Sequence, residues 1–149
     1  MPQIRKLKAN DLESVASIAA AVFAAPWSKQ GFAEALPMEN ACFLVAQEGE
    51  EILGYCGLFL AADEGEILNV AVSPAFQGRG VADRMLTALL VEGERSGVHR
   101  FFLEVRVSNV AAIRLYQKHG FSIQGIRKNF YAESQEDAYV MNRIDAGTE

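Results

Sequence analysis

The residues best suited to chemistry fall in two stretches of this 149-residue chain. The first is Gln77-Gly78-Arg79-Gly80-Val81-Ala82, which follows the apolar run Asn69-Val70-Ala71-Val72. A loop of small residues can turn several backbone N–H groups toward one point. A helix starting there adds orphan donors and the positive end of its dipole. Together these suit a phosphate or pyrophosphate. The stretch lacks the Gly-Lys-Ser/Thr close of a Walker loop and the third glycine of a dinucleotide fingerprint. A plain glycine-rich connection has the same composition, so spacing alone leaves both readings open.

The second stretch is Leu103-Glu104-Val105-Arg106-Val107-Ser108-Asn109, running on through Ala112 and Tyr116 to Gly120-Phe121. Strand alternation puts Phe102, Glu104 and Arg106 on one face and Phe101, Leu103 and Val105 on the other. A carboxylate inside a covered sheet is costly unless it is paired or functional. Arg106 and Arg127 are candidate partners for a purely structural pair. Tyr116, taken alone, reads as a packed helical aromatic with its hydroxyl at the rim.

Elements must position these groups, and the patterning predicts them. A strand is expected over 4–8, then a helix capped by Asn10 or Asp11 and carrying Leu12, Val15, Ile18, Ala19, Val22 and Phe23. Pro26-Trp27-Ser28 breaks it, and Ser28 caps a second helix carrying Phe32, Ala35 and Leu36 up to Pro37. Strands over 42–47 and 52–61 flank the turn Glu48-Gly49-Glu50-Glu51, and another follows over 66–72. A helix over 79–96 turns Val81, Met85, Leu86, Leu89 and Leu90 inward and ends at Gly97. A strand over 101–106 precedes a helix capped by Ser108 or Asn109 and ended by Gly120. Strands over 121–131 and 137–144 close the chain, and the polar tail after Ile144 is expected to fray. The order β-α-α-β-β-β-α-β-α-β-β predicts an α/β (α+β) fold, a mixed sheet with helices on both faces. Ligands of open sheets sit at the carboxyl ends of strands, here Val72 and Val105-Arg106.

Length argues for one domain over 1–149. With 50% hydrophobic residues the chain can build a sizeable core. A net charge of -5 argues against direct nucleic-acid binding and suits a cationic partner such as an amine or basic peptide. Cys42 and Cys56 sit in apolar strand-like stretches and read as buried small hydrophobes. His99 and His119 share no metal-ligand spacing with them, so no metal is expected. Met1-Pro2-Gln3-Ile4-Arg5-Lys6 carries no signal-peptide core, and no apolar run reaches the ~20 residues of a membrane span. The expectation is a cytoplasmic protein without a membrane partner. The residues carry no signal for oligomeric state.

Taken together, Gln77-x-x-Gly80-x-Ala82, the strand before it, and Glu104…Asn109…Ala112…Tyr116…Gly120-Phe121 resemble the GNAT superfamily of N-acetyltransferases over nearly the whole chain. Ala25-Pro26-Trp27-Ser28, Glu104-Val105-Arg106-x-Ser108-Asn109 and Gly125-Ile126-Arg127-Lys128-Asn129-Phe130-Tyr131 are similar to its bacterial ribosomal-protein alanine N-acetyltransferase group. The resemblance implies a seven-stranded, mostly antiparallel mixed sheet flanked by four helices and splayed at the fourth and fifth strands. It also implies acetyl-CoA as cosubstrate. On that basis Glu104 takes a proton and Tyr116 gives one. Val70, Ala71 and Val72 line the acetyl-pantetheine arm, with the Val70 N–H facing the oxyanion. Gln77, Gly78, Arg79, Gly80, Val81, Ala82 and Asp83 hold the pyrophosphate, and Asn109 bonds the pantetheine. Trp27 and Tyr131 flank the acceptor entry, although Trp27 also reads as a core anchor. Asp83 departs from the pattern, because its charge opposes a nearby pyrophosphate.

The implied acceptor is a protein N-terminal α-amine, in particular the alanine of a ribosomal protein. An α-amine titrates at roughly 7.7–8.0, so one carboxylate suffices to deprotonate it, whereas a lysine costs roughly 3 kcal/mol more. A small amine, a lysine side chain and a non-catalytic CoA-binding adaptor stand as alternatives.

Overall fold

The computed structural model describes residues 1–144, so the tail expected to fray lies outside the described residues. The strands are β1 (Gln3–Lys6), β2 (Ala41–Glu48), β3 (Glu51–Ala61), β4 (Glu64–Val72), β5 (Arg100–Arg106), β6 (Ser122–Tyr131) and β7 (Glu136–Ile144). The helices are α1 (Leu12–Val22), α2 (Lys29–Ala35), α3 (Val81–Arg95) and α4 (Val110–Lys118). Among the described residues these strands form one seven-stranded sheet in the order β1-β2-β3-β4-β5-β7-β6. All neighbours are antiparallel except β4 and β5. The mixed sheet and helical flanks expected from the sequence are present.

The parallel pair governs everything that follows. Its register runs only through Glu64↔Arg100, Gly65↔Phe101 and Glu66↔Phe102. Beyond Glu66, β4 stays on β3 and β5 stays on β7, and the two strands part. A β-bulge sits at that point, where Gly57 faces Asn69 while Leu58 faces Ile67. The extra residue bends β4, as bulges do. Past the split, alternate backbone N–H and C=O groups of β4 lose a β5 partner and turn toward the opening.

Each face of the sheet is covered. Met85, Leu86 and Leu89 of α3 pack on Cys56, Leu58, Phe101, Leu103 and Met141, and Tyr116 of α4 joins them. Val15 and Ile18 of α1 and Phe32 of α2 pack on Phe43, Val45, Tyr55 and Ala71 on the other face. Each fully buried side chain of this kind contributes roughly 1.5–3 kcal/mol. Cys42 and Cys56 are free thiols, and burial pushes both up from their ordinary range.

Several boundaries differ from the expectation. α3 begins at Val81 rather than Arg79, because Gly80 takes a left-handed conformation (φ 79°) and stands as the N-cap. β1 ends at Lys6, and a 3₁₀ turn over Ala9–Asp11 follows. Asp11 does not cap α1 with its side chain. Its carboxylate accepts from Arg5 Nη1 at 2.8 Å, Arg5 Nη2 at 2.9 Å and Lys8 N at 2.8 Å. The carboxyl is buried, and its bond to Arg5 holds it below the usual aspartate value. A depressed folded value gives stability that is complete above the unfolded value of about 3.9 and fades as pH falls through the folded one. Asp11→Asn is therefore expected to lose about 1–3 kcal/mol at pH 7. Urea unfolding of both proteins should show that gap constant down to about pH 5 and shrinking below pH 4.

Candidate active site

Two cavities open along the split. One, of about 440 Å³, lies over the start of α3 and is lined by Val70, Val72, Gln77, Gly78, Gly80, Val81, Ala82, Asp83 and Asn109. The other, of about 290 Å³, lies between the end of α1 and the β6–β7 hairpin. Its lining includes Trp27, Val70, Glu104, Asn109, Tyr116 and Tyr131. Val22, Val70, Asn109 and Ala112 line both, so the cavities share a wall. The split makes this possible. Glu104 faces the α1 side of the sheet and Tyr116 comes from the α4 side, yet both reach one opening.

The loop has the form of an anion cradle. Gly78 (φ 81°) and Gly80 (φ 79°) are both left-handed, and a Cβ at either would meet nothing within 4 Å. The loop is therefore not packed shut at either position. It leads straight into the first turn of α3, whose N–H groups have no helical acceptor. Gln77 Nε2 donates to the Val72 carbonyl at 3.0 Å, which ties the loop to the end of β4. These groups fit a phosphorylated, CoA-like ligand. Two residues expected here do not line the cavity. Ala71 points to the α1–α2 core at 1% exposure, and the Arg79 guanidinium lies 5.3 Å from the Phe76 ring centre.

Asp83 has a structural explanation. Its Oδ1 lies 3.0 Å from Lys118 Nζ and 2.8 Å from His119 Nε2. These contacts hold the carboxyl below its ordinary value, Lys118 first and His119 second. The charge that seemed to oppose an anion is answered from the end of α4. The same contacts tie the start of α3 to the helix that carries Tyr116.

Asn109 is the N-cap of α4: its Oδ1 accepts from Ala112 N at 3.1 Å. The amide NH₂ is the group it can offer to the cavities. Glu104, with a side chain 15% exposed, has Arg127 Nε 3.5 Å from Oε2. Of the two arginines weighed from sequence, Arg127 is thus the partner. Arg106 is engaged with Glu133 and, at 3.3 Å, with Glu136. The Arg106 guanidinium also stacks 3.9 Å from the Tyr131 ring centre, fixing that ring at the cavity. Tyr116 is buried, and desolvation pushes its hydroxyl well above the ordinary phenol value, so it stays protonated at neutral pH. Trp27 serves both readings. It lines the second cavity and lies 5.3 Å from Phe32 and 6.1 Å from Phe43, centroid to centroid.

Sequence reasoning missed Val22, Phe76, Leu68, Asn69 and Arg106 as lining residues. Val22 continues the apolar stripe of α1, and only its place in the last turn, beyond the covered sheet, separates it from core. Arg106 carried a signal, since strand alternation put it on the face of Glu104.

Comparisons with known proteins fit this geometry. A family model described as the acetyltransferase (GNAT) family matches residues 12–121. The chain is 35% identical over 143 residues to the [ribosomal protein bS18]-alanine N-acetyltransferase of Escherichia coli K12, covering 95% of this chain and 96% of that protein. It is 36% identical over 143 residues to the N-alpha-acetyltransferase RimI of Mycobacterium tuberculosis, covering 92% and 88%. The crystal structure of the ribosomal-protein-S18-alanine N-acetyltransferase from Escherichia coli superposes with a TM-score of 0.90 at 33% identity, covering 100% of this chain and 97% of that one.

Proposed function

This chain belongs to the acetyltransferase (GNAT) family, and from that premise we propose that its acceptor is a protein N-terminal α-amine, the N-terminal alanine of a ribosomal protein above all. It is an acetyl-CoA-dependent N-acetyltransferase. We take residues 1–149 as a single N-acetyltransferase domain working in the cytoplasm.

In this reading the loop cavity receives the CoA moiety. Gln77, Gly78, Gly80, Val81 and Ala82 hold the pyrophosphate, the Asn109 amide meets the pantetheine, and Val70 and Val72 flank the thioester. Trp27 and Tyr131 flank the acceptor. Glu104 takes one proton from the acceptor ammonium, and the freed nitrogen lone pair attacks the thioester carbonyl. The C–N bond forms while the Val70 N–H, on the unpaired edge of β4, steadies the oxyanion. The C–S bond breaks with its electron pair on sulfur, which Tyr116 protonates. The surplus proton on the new amide nitrogen and the one on Glu104 pass to solvent, from which the tyrosinate is reprotonated. No cysteine takes part.

The observation that carries this reading is the meeting of the two cavities at Val70 and Asn109, with Glu104 and Tyr116 on the wall of the second. The test is direct. The protein is incubated with acetyl-CoA and peptides with free or blocked N-termini, and mass spectrometry locates the acetyl group. Free N-terminal amines, alanine first, should be modified. Acetylation of blocked peptides at lysine alone would overturn the N-terminal assignment, and modification of no peptide would point to a small amine.

A further inference from the structure

One carboxylate outside the assigned groups stands at a decisive place. Glu66 occupies the last row in which β4 still pairs with β5, opposite Phe102. Partners across a strand pair face the same side, so Glu66 shares a face with Phe102 and, two residues on, with Glu104. One row further the strands part; Glu104 lines the cavity that opens there, and Glu66, half-buried, does not. Burial pushes the Glu66 carboxyl above its ordinary value, the Glu104 charge adds to the push, and Arg127 opposes it. The three groups therefore feel one another across β4, β5 and β6.

The charge count then matters. Arg127, with a side chain 58% exposed, lies beside Glu104 and cancels it. That pair alone is neutral, while Arg106 on the same wall is answered by its own carboxylates, Glu133 and Glu136. With Glu66 ionised, two carboxylates against one guanidinium leave the group around Glu104 at minus one. Resting on the acceptor assignment above, we infer that Glu66 is a positioning residue that keeps the group around Glu104 and Arg127 net negative. It draws the amine in as its ammonium, while Glu104 remains the group that takes the proton. An amine that arrives protonated, as a peptide N-terminus mostly does at neutral pH, is favoured over a neutral one.

The test uses the full chain, an alanine-initiated peptide and saturating acetyl-CoA at pH 7. Glu66→Gln should raise the peptide KM roughly three- to tenfold, with kcat and the acetyl-CoA KM near parental and the effect shrinking in added salt. Glu66→Asp, which keeps the charge, should stay near the parent. Removing Arg127 as well, in Glu66→Gln/Arg127→Gln, restores the charge count and should bring the peptide KM back to within about twofold of the parent. A merely structural role for Glu66 would not be rescued in that way. If Glu66→Gln does not fold, Arg127→Gln alone decides, since it should lower the peptide KM. An unchanged peptide KM in Glu66→Gln, or a rise that the double variant does not relieve, overturns the inference alone. A parent that acetylates no peptide amine overturns the acceptor assignment and this inference with it.

Discussion

Glu104→Gln is expected to cut peptide acetylation at pH 7 by about 10²–10⁴-fold, the usual share of a positioned general base. Glutamine keeps the size and polarity of the side chain, so the acetyl-CoA KM should hold. Glu104 lines the acceptor cavity and not the loop cavity, which separates its loss from cofactor binding. A second signature is available in the pH profile. An α-amine loses its proton unaided above roughly pH 8, so the deficit should narrow as pH rises toward 9. A peptide whose only amine is a lysine would show no such recovery in that range. Steady-state rates from pH 6.5 to 9 (roughly one unit either side of the amine's own titration) provide the check. Parental turnover at pH 7 would remove Glu104 from the mechanism.

Gly80→Val is the second large effect, and it acts on the other cavity. Gly80 holds φ 79° at the N-cap of α3, and its carbonyl accepts from Arg84 N at 3.2 Å. A β-branched residue in the left-handed region is strained by about 1–3 kcal/mol. The loop escapes that strain by turning its backbone, which redirects the N–H groups that make the cradle. The acetyl-CoA KM should rise about 10- to 100-fold if two or so charge-assisted bonds are lost. Gly97, at φ 93° just past the other end of α3, serves as control. Gly97→Val should cost similar stability and leave the acetyl-CoA KM unchanged. Equal effects from the two substitutions would mean that strain, not cofactor contact, explains the loss. Calorimetric titration with CoA and thermal unfolding distinguish these outcomes.

Much of this arrangement was legible in residue order. The periodicities of α1, α3 and α4 and the turn around Gly49 place the elements within a few residues. Alternation along β5 correctly put Glu104 and Arg106 on the face away from Phe101 and Leu103. What local pattern does not encode is pairing that stops. Nothing in 66–72 or 102–106 says that two adjacent parallel strands separate after Glu66↔Phe102, because that depends on the bulge opposite Gly57 and on β7 holding β5. For the same reason Val22 read as core although it lines both cavities. Asp83 looked like an error of charge until α4 brought Lys118 and His119 beside it. Those contacts join residues 35 and 36 positions apart, beyond any local rule. Tyr131 was found by resemblance, whereas the stack that fixes it, Arg106 on its ring, required the hairpin to fold back.

The shared wall at Val22, Val70, Asn109 and Ala112 has a consequence for selectivity against water. Water competes with every acyl acceptor, and many transferases exclude it with a hinged lid. In the proposed arrangement the opening beside the thioester is the acceptor's own berth. On that reading, the peptide that arrives to be acetylated is also the stopper that dries the cleft. Hydrolysis of acetyl-CoA is then suppressed by occupancy instead of by a moving part. A peptide too short to fill the berth should leak acetate along with its acetylated product.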